Sequence, residues 1–122
     1  MGKRYLLSAG LAAVLFAGPA GASELSRYSI EDLLSPCQEA DSDARWGAAA
    51  EAECEQYLRG FTDAYLLTVG AGGEDGVCLP DLNRDDEVRW AFMKWTAQHY
   101  DQRANPAAEG LMATLKEAFK CP

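Results

Sequence analysis

The stretch Ala44 to Val69, ARWGAAAEAECEQYLRGFTDAYLLTV, decides how the rest of the chain is read. It consists of strong helix formers, and its apolar positions Cys54, Tyr57, Leu58, Phe61, Tyr65 and Val69 recur at the spacing of one helical face. Gly60 sits inside that stripe at a cost of about 1 kcal/mol relative to alanine, which predicts that another helix comes close there. Gly70-Ala71-Gly72-Gly73 ends the run, because glycine alone takes left-handed backbone angles without strain.

Working outward, the same period returns twice. Val88, Ala91, Phe92, Trp95 and His99 form one stripe, led in by Asp85-Asp86-Glu87, whose charges suit the positive end of a helix. Asn83 or Asp85 serves as its cap. Trp90 points about 100° away from Ala91 on the wheel, toward an exposed or partner-facing side. Ala108, Leu111, Met112, Leu115, Ala118 and Phe119 form the last stripe, and Asn105-Pro106 reads as a cap followed by proline at the first helical position. Upstream, Ser29 caps a short helix with Glu31 and Asp32 in its first turn, and Pro36 limits it to about two turns. Asp41-Ser42-Asp43 is a polar hinge. No stretch alternates with period two. The expected fold is all-α: a small disulfide-stabilised bundle of about four helices.

The chain has 122 residues, with 11 Lys and Arg against 19 Asp and Glu, a net charge of −8. Residues 1–22 have the three parts of a secretory signal: basic Lys3-Arg4, the apolar run Tyr5 to Ala17, and Ala20-Gly21-Ala22 after the helix breaker Gly18-Pro19. A membrane anchor is disfavoured, since the run falls short of the roughly 20 residues needed to span a bilayer. Cleavage after Ala22 leaves residues 23–122 as one exported helical domain. Every acidic residue lies in that part, so nine cationic residues face 19 acidic ones and the mature charge is −10. Such a surface has no excess of Lys and Arg for phosphates, which excludes nucleic acid and anionic lipid as partners. A basic protein surface fits the sign.

Cys37, Cys54, Cys78 and Cys121 are separated by 17, 24 and 43 residues, with no C-x-x-C. That spacing argues against zinc, haem or a thioredoxin-like site, and an oxidising compartment makes two structural disulfides the expectation. Three pairings are open. We favour Cys37–Cys54, tying the first helix to the second, and Cys78–Cys121, tying the central loop to the C-terminus.

Little in the chain suggests catalysis. His99 is the only histidine and lies in an apolar stripe, so packing is its expected role. Phosphate loops, nucleophile elbows and zinc-protease motifs are all missing. Asp81-Leu82-Asn83-Arg84-Asp85 begins like a calcium loop, but Asp86 stands where that loop turns on glycine and Phe92 where it needs its bidentate glutamate. It reads as a helix entrance. We expect no enzyme, no cofactor and no metal.

Several ordered marks carry a resemblance: Cys54-Glu55-Gln56-Tyr57-Leu58-Arg59-Gly60-Phe61-Thr62-Asp63-Ala64, then Val77-Cys78-Leu79-Pro80, then Asn105-Pro106 and Lys120-Cys121-Pro122. From Leu33 to Cys121 the chain resembles the Rap/Tai family of immunity proteins against type VI secretion amidase toxins. The resemblance implies an exported, periplasmic, disulfide-stabilised helical protein, often a homodimer. It also implies a protein that binds a cognate peptidoglycan amidase and occludes its Cys-His cleft without chemistry of its own. The candidate partner-binding residues are Asp75, Asp81, Asp85 and Asp86 around the disulfide-pinned loop, with Trp90 as apolar anchor. Asp85 and Asp86 serve equally well as stabilisers of a helix start. An alternative function is a small periplasmic stress protein or acid-activated chaperone, whose carboxylates would lose charge and solubility together at low pH.

Overall fold

Ser29 and Asp32 open the first helix as a reciprocal pair. In the computed structural model, which describes residues 23–41 and 47–122, the Asp32 backbone N–H donates to Ser29 Oγ at 3.1 Å. The Ser29 N–H in turn donates to the Asp32 carboxylate at 2.9 Å. Each side chain thus satisfies a donor that a helix start leaves open. The bonds from Ser29 hold the Asp32 carboxyl below the usual carboxylate range. The signal segment, Trp46 and most of the expected hinge lie outside the described residues.

Helix α1 spans Ile30–Glu39 and runs straight through Pro36, contrary to the two turns expected. Proline has no N–H to give the carbonyl four residues back, that of Asp32. The Tyr28 hydroxyl lies 3.2 Å from that carbonyl and 2.8 Å from Glu53 Oε1, so the orphaned acceptor has a donor within reach from outside the helix. Burial and the Glu53 carboxylate push the Tyr28 phenol well above its ordinary pKa. The Pro36 ring is itself buried, and that packing favours continuing the helix over breaking it.

Helix α2 spans Gly47–Thr68, α3 Arg84–Gln98 and α4 Ala107–Ala118, with a 3-10 turn at Tyr100–Gln102 before α4. Every pair of the four helices is in contact. Ile30, Leu33 and Leu34 of α1, Leu58 of α2, Phe92 of α3, and Leu111 and Leu115 of α4 are all fully buried in one core. Among the described residues the only β features are two isolated bridges, Ser29 with Pro106 and Val77 with Lys120. The protein is all-α. No described helix is long and apolar enough to cross a membrane.

Both bridges bring distant chain ends together. The Ile30 and Glu31 N–H groups, unsatisfied within α1, donate to the carbonyls of Asn105 and Arg103 at 2.9 and 3.0 Å. The Ala107 N–H donates to the Tyr28 carbonyl at 2.9 Å. This pairing explains why α4 starts one residue later than expected: Pro106, with ψ of 138°, is the extended cap position rather than the first helical residue. At the opposite pole, the Cys78 N–H donates to the Phe119 carbonyl at 2.8 Å. Cys78 is bonded to Cys121 and Cys37 to Cys54, with Cα atoms 4.9 and 5.0 Å apart.

The helical faces are turned somewhat from those the stripes predict. Helix α2 buries Ala50, Cys54, Leu58, Thr62 and Tyr65, whereas Val69 is 44% exposed. Its buried Tyr65 donates to the Asp75 carbonyl at 2.7 Å. Helix α3 buries Arg89 and Thr96 with Val88, Phe92 and Trp95, leaving Ala91 only partly covered. On α4, Gly110 and Thr114 are buried, while Met112 and Ala118 are exposed. Asn83 occupies the cap position of α3 in the left-handed region (φ 53°), with no side-chain capping bond.

The close approach expected at Gly60 is found at Gly110 instead. A Cβ on Gly60 would meet nothing within 4 Å, whereas one on Gly110 would lie 2.7 Å from Ile30 Cγ1. Gly60→Ala should therefore raise stability by about 1 kcal/mol through helix propensity alone. A higher urea midpoint with unchanged slope is the expected readout; a lower midpoint would mean that Gly60 is needed for packing.

Candidate functional site

A surface groove of about 500 Å³ lies between α3 and α4. Its α3 wall follows from spacing: Glu87, Trp90, Ala91, Lys94, Trp95 and Gln98 fall at helical intervals on one side. Thr114, Glu117, Ala118 and Phe119 supply the α4 wall. Trp95 is buried and stacks on His99, ring centroids 4.2 Å apart, while Trp90 stands 50% exposed. The Trp95 indole N–H is buried and has no acceptor among the described residues. His99 Nδ1 lies 2.8 Å from the Trp95 carbonyl, so the one histidine is engaged by its own helix.

The acidic candidates sit elsewhere, and none of the four lines this groove. Asp75 is exposed, 3.7 Å from Lys116 Nζ. Asp81 is exposed and makes no ion pair among the described residues. Asp85 accepts from Arg59, whose Nη2 also lies 3.8 Å from Glu55. That bond to Asp85 raises the Arg59 pKa. Partial burial pushes the Glu55 carboxyl up, and the charges of Glu51 and Asp85 add to the effect. Asp86 lies 3.0 Å from Arg89 Nη2, and Asp41 lies 3.1 Å from the same nitrogen. Three of the four aspartates are thus engaged within the molecule: Asp85 ties α3 to α2, Asp75 meets Lys116 of α4, and Asp86 pairs within α3 with Arg89, which Asp41 beyond the end of α1 also holds.

Sequence reasoning missed Arg89 altogether. It is only 5% exposed, and its Nε has no partner among the described residues. A charge buried to that degree is stable only when paired, and the two carboxylates provide the pairing. The available signal was faint: Asp86 and Arg89 stand three residues apart on a helix, a spacing at which charges meet. Glu117, which faces Glu87 and Trp90 across the groove from another helix, had no signal at all in the linear chain.

A family model for Rap1a immunity proteins matches residues 29–121. The chain belongs to this family. No curated protein and no solved structure matches it. The span shared with Rap1a immunity proteins runs from the Ser29 cap to Cys121, and so takes in all four helices and both disulfides. Membership among Rap1a immunity proteins implies that the chain binds a toxin protein and does not turn over a substrate. All four cysteines are bonded, which leaves no thiol for nucleophilic work.

Proposed function

We propose that this protein is a periplasmic, non-catalytic inhibitor that binds and blocks a peptidoglycan amidase toxin delivered by type VI secretion. The family match over residues 29–121 carries the reading. The export signal read in residues 1–22 supports delivery to the compartment where a wall-cutting enzyme arrives. A bundle held by two disulfides supports a role as a rigid plug, because preorganised surfaces bind without first being ordered. It also opposes the loosening that an acid-activated chaperone would need. The excess of carboxylates supports a basic toxin rim, since charge complementarity speeds encounter and fixes register.

The test uses the mature chain, residues 23–122, with Cys-His amidases encoded beside it. One equivalent should reduce peptidoglycan hydrolysis to background. Full activity with every such amidase would overturn the reading. The mass of the protein recovered from the periplasm reads the cleavage after Ala22, and sedimentation reads the homodimer that the resemblance implies.

A further inference from the structure

Resting on that reading, we infer that the α3–α4 groove is the surface that holds the partner, and that it takes a protein segment with one large apolar side chain flanked by lysine or arginine. Trp90, Trp95 and Phe119 give the groove an aromatic lining, and half of Trp90 is still open to water. Tryptophan is among the residues most enriched at the energetic centres of protein interfaces.

The electrostatics select the flanking residues. Glu87 on one wall and Glu117 on the other are exposed, and neither forms an ion pair among the described residues. They outnumber the groove's one cation, Lys94. Asp75, Asp85 and Asp86, by contrast, already have cationic neighbours. Glu117 is also misplaced for its own helix: it stands in the last turn of α4, where the backbone dipole disfavours negative charge. Lys116 in the same turn lies against Asp75 rather than pairing with Glu117, and a local rule broken in this way marks a place where function overrides stability. A cation from outside supplies the missing compensation.

Two arms test this. In the first, ¹⁵N-labelled mature protein is titrated with a short blocked peptide of one phenylalanine between arginines, and with a control carrying glutamates in place of the arginines. The basic peptide should shift the Trp90 indole and the Lys94, Gln98 and Glu117 amides saturably, and the acidic one should not. Glu87→Lys with Glu117→Lys should abolish the shifts. Equal response to both peptides, or shifts confined to another face, would overturn the inference.

In the second arm, binding to an inhibited amidase is measured. Trp90→Ala should weaken it about 30-fold, and the double charge reversal about tenfold, mostly through slower association. Glu51→Lys, an exposed change on α2 outside the groove, should stay within about twofold. All these side chains are at the surface, and circular dichroism checks that the fold is intact. If the parent chain inhibits an amidase and Trp90→Ala inhibits it equally well, the groove is wrong and the immunity reading survives. If no amidase is inhibited but the basic peptide fills the groove, the immunity reading falls and the groove stands.

Discussion

Removing both disulfides should unfold this protein in plain buffer. The Cys37–Cys54 bridge closes 17 residues and Cys78–Cys121 closes 43. Chain entropy assigns them about 3 and 4 kcal/mol. A domain of this size has roughly 5–15 kcal/mol of total stability, so losing both, with the cavity cost below added, removes more than half to all of it. The two bridges also differ in setting. Cys37 and Cys54 are fully buried, whereas Cys78 is exposed. Replacing each buried sulfur by alanine adds about 1 kcal/mol of cavity cost, which reverses the ranking by loop length. The Cys37→Ala/Cys54→Ala variant should therefore be the less stable of the two double variants. Urea midpoints compare them directly, and the opposite order would show that loop closure outweighs packing.

Gly110→Val should cost about 3 kcal/mol, at the upper end of ordinary overpacking. Even a single Cβ there would lie 2.7 and 2.8 Å from Ile30 Cγ1 and Cδ1, and 3.3 Å from Trp95 Cζ3. Ile30 is 1% exposed and its neighbours Leu33 and Leu111 are fully buried, so it has nowhere to move. Gly110→Ala should cost less, because helix propensity returns about 1 kcal/mol. Ile30→Val combined with Gly110→Ala should recover part of that loss if the clash is the cause. Strict additivity of the two changes in urea unfolding would contradict the contact.

The same two glycines show where linear reading stops. Gly60 stands in the apolar stripe read for α2 and signalled a close approach, whereas Gly110 lies outside the stripe read for α4 and gave no such signal. Only the packing of α4 on Ile30 tells them apart. The aspartates teach the same lesson. Asp75, Asp85 and Asp86 are visible as charges, but their cations lie on other elements or a turn away: Lys116 on α4, Arg59 on α2, Arg89 further along α3. Pro36 failed as a stop signal for a related reason. The donor near the carbonyl it orphans belongs to Tyr28, a residue outside the helix.

The linear chain by itself determined the helical class, the approximate bounds of four helices and the family, and left three cysteine pairings open that the structure resolves. The class and the helix bounds depend on composition and on spacing within about one turn, which local backbone preferences govern, whereas the family rests on ordered marks spread along the chain. Tertiary structure alone decided which side of each helix is buried, which acidic residues are neutralised internally, and that Trp90 and Glu117 border one groove. Those outcomes depend on how helices pack against one another. An amphipathic stripe is some 100° wide, and a modest rotation within it moves a carboxylate from a salt bridge into open water.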